Sequence, residues 1–160
     1  MTNRIQLEPE AQALAEAATR SPLLFTLGPE KGRLALDEAQ SGSVSKHLVD
    51  IEDLTIADGP SVQLALRILR PQNARTPLPV IVYIHGAEWV FGSPQTHDRL
   101  VRELAVGAGA AVVFPVYRLC PEVSYPTALE ECYMAAQWVA RRGQEYGLDA
   151  ERLALALLKG

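Results

Sequence analysis

Apolar and polar residues change their spacing several times along these 160 residues, and each change marks an element. Over residues 8–20, beginning with Leu7, apolar positions recur at helical spacing (Ala11, Leu14, Ala15, Ala18), with Pro22 just beyond. That predicts a short amphipathic helix with a weakly apolar face. Pro29 to Gln40 predicts a second helix, with proline in its first turn and Gly42 as its stop. From His47 the period shortens to two. Val49 and Ile51 alternate, and Leu54 and Ile56 resume on the opposite phase, so a bulge is expected at Glu52 and Asp53. Asp58-Gly59-Pro60 signals a turn, and Ser61 to Arg70 then alternates through Val62, Leu64, Leu66 and Ile68. These two strands form an antiparallel pair.

The pattern changes again at Val80. Val80 to Ile84 is an unbroken run of β-branched and aromatic residues, as in a strand buried on both faces. A helix follows from Thr96 to Ala108, with Thr96 as N-cap and Leu100, Val101, Leu104 and Ala105 as its buried stripe. Ala110 to Tyr117 predicts another buried strand. Pro126 to Gly143 predicts a long helix burying Leu129, Cys132, Ala136 and Val139. Its acids Glu130 and Glu131 and its bases Arg141 and Arg142 suit the helix dipole. A loop over Leu148 to Ala150 leads to a last strand from Leu153 to Leu158. Alternating strands and helices of this kind imply right-handed crossovers and an α/β fold. The expectation is a mostly parallel sheet with antiparallel leading strands, a helical segment over 1–45 and a core over 46–160.

Composition narrows the function classes. A net charge of −4 gives no basic footprint, so nucleic acid is not expected as a partner. No apolar run reaches the roughly 18 residues of a membrane span, and MTNRIQLEPE lacks the apolar centre of a signal peptide. Cys120 and Cys132 show neither CxxC nor metal spacing, which points to free thiols in a cytoplasmic protein. Neither GPEKG at 28–32 nor GAEWVFG at 86–92 has phosphate-loop or dinucleotide spacing, so a nucleotide binder is set aside and no cofactor or metal is expected.

The candidate chemistry lies at the end of the central strand. A strand ending in His85-Gly86 and a tight turn can present backbone N–H groups outward. Such donors stabilise the oxyanion of acyl transfer, and losing one costs roughly 10²–10³ in rate. Taken alone, the dipeptide reads more simply as a turn. However, HGAEWVFGS is followed by VVFPVYRLCPE and then YPTALEECYMAAQWV. This order resembles the hormone-sensitive-lipase-like, HGGG-type esterases and lipases of the α/β-hydrolases, whose members carry HGGGW, DYRLAPE and a FPAALED-type helix start. The similarity runs from Leu78 to Ala156. It implies the N-terminal portion of an α/β-hydrolase fold, with the leading helices as part of a cap, and a substrate class of short-chain acyl esters. It also implies an oxyanion loop at Gly86, Ala87 and Glu88, with the backbone N–H groups of Ala87 and Glu88 as donors. His85 and Trp89 then stand on the substrate side, Trp89 bordering the acyl pocket. Tyr117, Arg118, Leu119, Pro121 and Glu122 match the family's scaffold turn.

The departures from the pattern also carry expectations. Glu88 puts a Cβ where the family has glycine. Unless its side chain turns outward, its carboxylate repels the oxyanion by about 4 kcal/mol at ~4 Å and an effective dielectric near 20. Val116 stands in for an aspartate and Cys120 for an alanine. No serine (21, 41, 43, 45, 61, 93 or 124) lies in G-x-S-x-G, the family's nucleophile turn. His47 and His97 have no acidic or nucleophilic company by sequence and read as surface or capping residues. The expectation is therefore a front half that stops before the nucleophile, with LLKG at 157–160 favouring a disrupted reading frame, and no activity alone. The alternative is a degenerate hydrolase kept for ligand binding or interaction. In either case the last strand is expected to leave an exposed sheet edge through which copies could pair.

Overall fold

The computed structural model describes residues 7–19, 23–58 and 62–157. Helix α1 (Pro9–Ala18) and helix α2 (Pro29–Gln40) precede a five-stranded sheet, with a 3₁₀ turn at Leu24–Thr26 between them. The strands are β1 (Val49–Asp58), β2 (Val62–Pro71), β3 (Leu78–Ile84), β4 (Ala111–Val116) and β5 (Leu148–Leu157). Helix α3 (Asp98–Ala108) links β3 to β4, and helix α4 (Thr127–Arg142) links β4 to β5. The sheet order is β1-β2-β4-β3-β5. β1 and β2 are antiparallel, as are β2 and β4, whereas β3 runs parallel to both β4 and β5. The sheet is thus mixed, with the expected antiparallel leading strands. Gly59 and Pro60 of the expected turn, and Leu158, the expected final residue of the last strand, lie outside the described residues.

Two clusters form the core. Leu64, Leu66, Ile68, Val80, Val82 and Val113 face α4, where Cys132, Ala135 and Val139 meet them. Leu69, Tyr83, Val112 and Phe114 face α3 through Val101 and Ala105. Successive strand residues point to opposite faces, so β3 and β4 bury both, which explains their unbroken apolar runs. The helices leaving β3 and β4 lie on opposite faces of the sheet. The loops that follow the two strands meet at their carboxyl ends, where the Cys120 amide donates to Trp89 O, and ligands of open α/β sheets bind at that end.

Several sequence expectations need correction. No bulge interrupts β1, whose register against β2 is continuous from Val49↔Pro71 to Asp58↔Val62. The phase change instead reflects a change of face: Val49 packs with the α3 cluster, Leu54 and Ile56 with the α4 cluster, and Ile51 is exposed. Glu52 and Asp53 are salt-bridge partners of Arg70 and Arg67 on β2. Leu148 and Asp149 already pair with Leu78 and Pro79, so β5 starts five residues early, with the irregularity between Pro79 and Val80. On α4, Leu129 is exposed and Glu131 is buried. Leu7, Ala11 and Ala15 around α1 are exposed, so these residues bury no apolar face. Among the described residues β5 pairs only with β3, and Leu155 and Leu157 are exposed along it.

Candidate active site

The loop after β3 takes an unusual path. Ala87, Glu88 and Trp89 have φ of 77°, 59° and 62°, three consecutive non-glycine residues in the left-handed region. Each costs about 1–2 kcal/mol there, because Cβ crowds the following carbonyl. The strain is held by closing contacts: the amides of Val90 and Phe91 donate to Ala87 O at 3.2 and 3.0 Å, and the Cys120 amide donates to Trp89 O at 2.8 Å. Among the described residues, the amides of Ala87, Glu88 and Trp89 donate to no protein acceptor. Consecutive free N–H groups in a left-handed turn form a concavity suited to an anion or a developing oxyanion.

Glu88 keeps the backbone shape that glycine would take and is exposed. Water around its carboxylate lowers the repulsion of a charge at 4 Å from about 4 to about 1 kcal/mol. Trp89 is partly exposed, its ring 5.3 Å from that of Tyr117. Gly86 is partly buried between His85 and this turn.

His85 is locked beneath the loop at 3% exposure. Its imidazole stacks on Tyr117 at 4.3 Å and Phe114 at 5.3 Å, both 12° from coplanar. The Tyr117 hydroxyl donates to His85 O at 2.7 Å. With that proton committed, its oxygen accepts from Nδ1–H of His85 at 3.1 Å, a hydrogen shared with Gly86 O at 2.9 Å. This fixes the tautomer with Nε2 unprotonated. Burial pushes the imidazole down to about 4, outweighing the Gly86 carbonyl that favours its proton, and His97 adds to the fall. The neighbouring His97 ring, 5.1 Å away, is likewise pushed down by burial.

These shifts make the fold acid-sensitive in a defined window. Above the unfolded value near 6.5 both states carry neutral His85 and nothing is lost. Below it the unfolded chain takes up a proton that the folded chain refuses, so stability falls until about pH 4. Between pH 7 and 5 the expected loss is about 2 kcal/mol from His85 alone. The carboxylates are held down by their partners and act at lower pH. Urea midpoints at the two pH values check this, and equal midpoints would refute it.

The turn after β4 has a structural contact for each charged residue of YRLCPE. Arg118 donates from its backbone N–H and its Nε to the buried Glu131 carboxylate, at 2.7 and 2.5 Å. Glu131 thus serves to tie α4 to this turn, a role the dipole argument did not reveal. Glu122 forms a two-pronged pair with Arg33 of α2, at 2.7 and 2.9 Å, whose hydrogen bonds pull its carboxyl down to about 2. Arg33, Asp37, His85, Val116, Tyr117 and Leu119 are among the residues lining a hollow of about 260 Å³ beside the loop.

Helix α2 reaches this region because Gly32 has no side chain. A Cβ there would lie 2.5 Å from Cε1 of the buried Phe91. GPEKG is thus no phosphate loop but the place where α2 approaches Phe91, and a glycine inside a helix is the sequence signal of such a contact.

The remaining candidates are accounted for. His47 does have an acidic partner, Glu103 at 3.0 Å on the exposed side of α3, a pairing brought about by the fold rather than by spacing. His97, not Thr96, occupies the N-cap of α3, and its side chain makes no capping bond. Thr96 instead closes a turn with Ser93, accepting from its amide at 2.8 Å. Both cysteines are free, and burial raises the Cys132 thiol to about 12, too high for a thiolate nucleophile. No helix among the described residues is long and apolar enough to cross a membrane.

The alpha/beta hydrolase fold family matches residues 81–156. Carboxylesterase NlhH of Mycobacterium tuberculosis is 36% identical over 137 residues, covering 84% of this chain and 43% of that protein. Hormone-sensitive lipase of Bos taurus is 34% identical over 129 residues, covering 81% of this chain and 16% of that protein. A thermostable esterase from Pseudomonas putida, of known structure, matches with a TM-score of 0.87 at 38% identity, over 98% of this chain and 50% of that one. The chain spans less than half the length of these curated relatives and half of the solved esterase.

Proposed function

Since this chain belongs to the hormone-sensitive-lipase-like esterase group of the α/β hydrolases, we propose that its β3 loop supplies the oxyanion donors for hydrolysis of short-chain carboxylic esters. The observation that carries this reading is the left-handed run at Ala87, Glu88 and Trp89, with its unpartnered amides. When a nucleophile adds to an ester carbonyl, the oxygen gains a full charge. The Ala87 and Glu88 amides stand ready to receive it, with no reorganisation required at that moment. Trp89 borders the acyl group in this reading. Residues 1–45 act as a cap segment over a core of 46–160, supported by Arg33 and Asp37 of α2 in the lining of the hollow.

The other half of the chemistry needs a nucleophile, a base and an acid. His85 is a poor base because it is buried, stacked and engaged at Nδ1. No serine of this chain lies in G-x-S-x-G. These 160 residues are therefore expected to leave p-nitrophenyl butyrate at the buffer rate. They are also expected to take up no fluorophosphonate label by intact mass. A stoichiometric adduct would show a reactive serine among these residues and overturn that expectation.

A further inference from the structure

The carbonyls flanking the strained run are bound to helix α2 through Arg33. Arg33 of α2 donates from Nε to Val90 O at 2.8 Å and from Nη2 to Cys120 O at 2.8 Å. Its Nη1 and Nη2 also hold the Glu122 carboxylate. Val90 directly follows the left-handed run, and Cys120 is the residue whose amide takes Trp89 O. One guanidinium thus spans the loops after β3 and β4 at the point where they already touch. Its planar fork of donors meets three acceptors in one geometry, which a lysine ammonium cannot reproduce. Gly32, the preceding residue, lets the helix come close enough for this reach.

We propose that Arg33 is the positioning residue of the oxyanion loop, holding the Val90 and Cys120 carbonyls so that the Ala87 and Glu88 amides stay open toward a substrate oxygen. The purpose assigned to the loop rests on the ester-hydrolase reading; the clamp itself does not. In this arrangement Glu122 orients the guanidinium, and the two carbonyls are its working contacts. The N-terminal helix then sets the shape of the loop in addition to covering it.

Residue-resolved amide exchange on the full chain tests this without any substrate, so its failure is separable from that of the ester reading. Arg33→Ala and Arg33→Lys are both expected to speed exchange of the Val90, Phe91 and Cys120 amides at least tenfold. The β4 amides of Val112 to Phe114 should stay within twofold in both. Arg33→Lys retains the charge opposite Glu122 and guards against a misfolded alanine variant. Three results would overturn the proposal: unchanged loop exchange in Arg33→Ala, wild-type behaviour of Arg33→Lys, or an equal rise in β4, which would make Arg33 a general anchor.

Discussion

Replacing Gly92 with alanine is expected to lower the unfolding free energy by about 3 kcal/mol. Two terms contribute. Gly92 has φ of 90°, where an L side chain costs about 1–2 kcal/mol. A Cβ there would also stand 2.7 Å from Nδ1 of His85 and 3.2 Å from Cε1 of His97. The His85 ring cannot give way, since it lies stacked on Tyr117 and Phe114 with Nδ1 already bonded. Overpacking of this kind adds about 1–3 kcal/mol. Gly109 provides the control, because its φ of 58° and ψ of 36° are left-handed and nothing lies within 4 Å of the Cβ position. Gly109→Ala should show the backbone term only, about 1–2 kcal/mol. Urea titrations with unchanged slopes would give both values. Equal losses in the two variants would mean that His85 is free to move.

Much of the fold was legible because its signals are local. β3 and β4 are apolar on both faces, and α2 carries its proline and its stop, so its predicted and observed limits coincide at Pro29 and Gln40. The family was legible through motif order and not through periodicity. What escaped depends on the third dimension. A period of two does not say which sheet face a residue covers, so a change of face on β1 looked like a bulge. The stripe on α4 was displaced because Glu131 takes a core position in order to hold Arg118. Arg33 carries no sequence signal, since its three acceptors lie 57 to 89 residues away. Glu88, expected at a glycine position of the family pattern, has a φ of 59°. Its exposure, which softens the expected repulsion, is set by the turn itself.

The second large effect concerns catalysis. No serine of this sequence lies in G-x-S-x-G, the nucleophile turn of the family pattern, so the test of catalysis joins residues 1–157 to the unmatched half of the Pseudomonas putida esterase. If the Ala87 and Glu88 amides are working donors, the joined protein gains the roughly 10²–10³ in rate that one such donor contributes, together with the nucleophile's own share. Glu88 poses the sharpest challenge, because its charge stands in the loop proposed to receive a developing anion. Its exposure predicts a penalty of about 1 kcal/mol, or about fivefold in rate.

The most direct measurement is therefore p-nitrophenyl butyrate turnover by that joined protein, after cooperative unfolding and a monodisperse profile establish that it folds. The expected result is hydrolysis at least about 10³-fold above buffer, reduced no more than about tenfold relative to the same protein with Glu88→Gly. A folded joined protein that stays at the buffer rate, with or without Glu88, would contradict the assignment of this loop as an oxyanion hole.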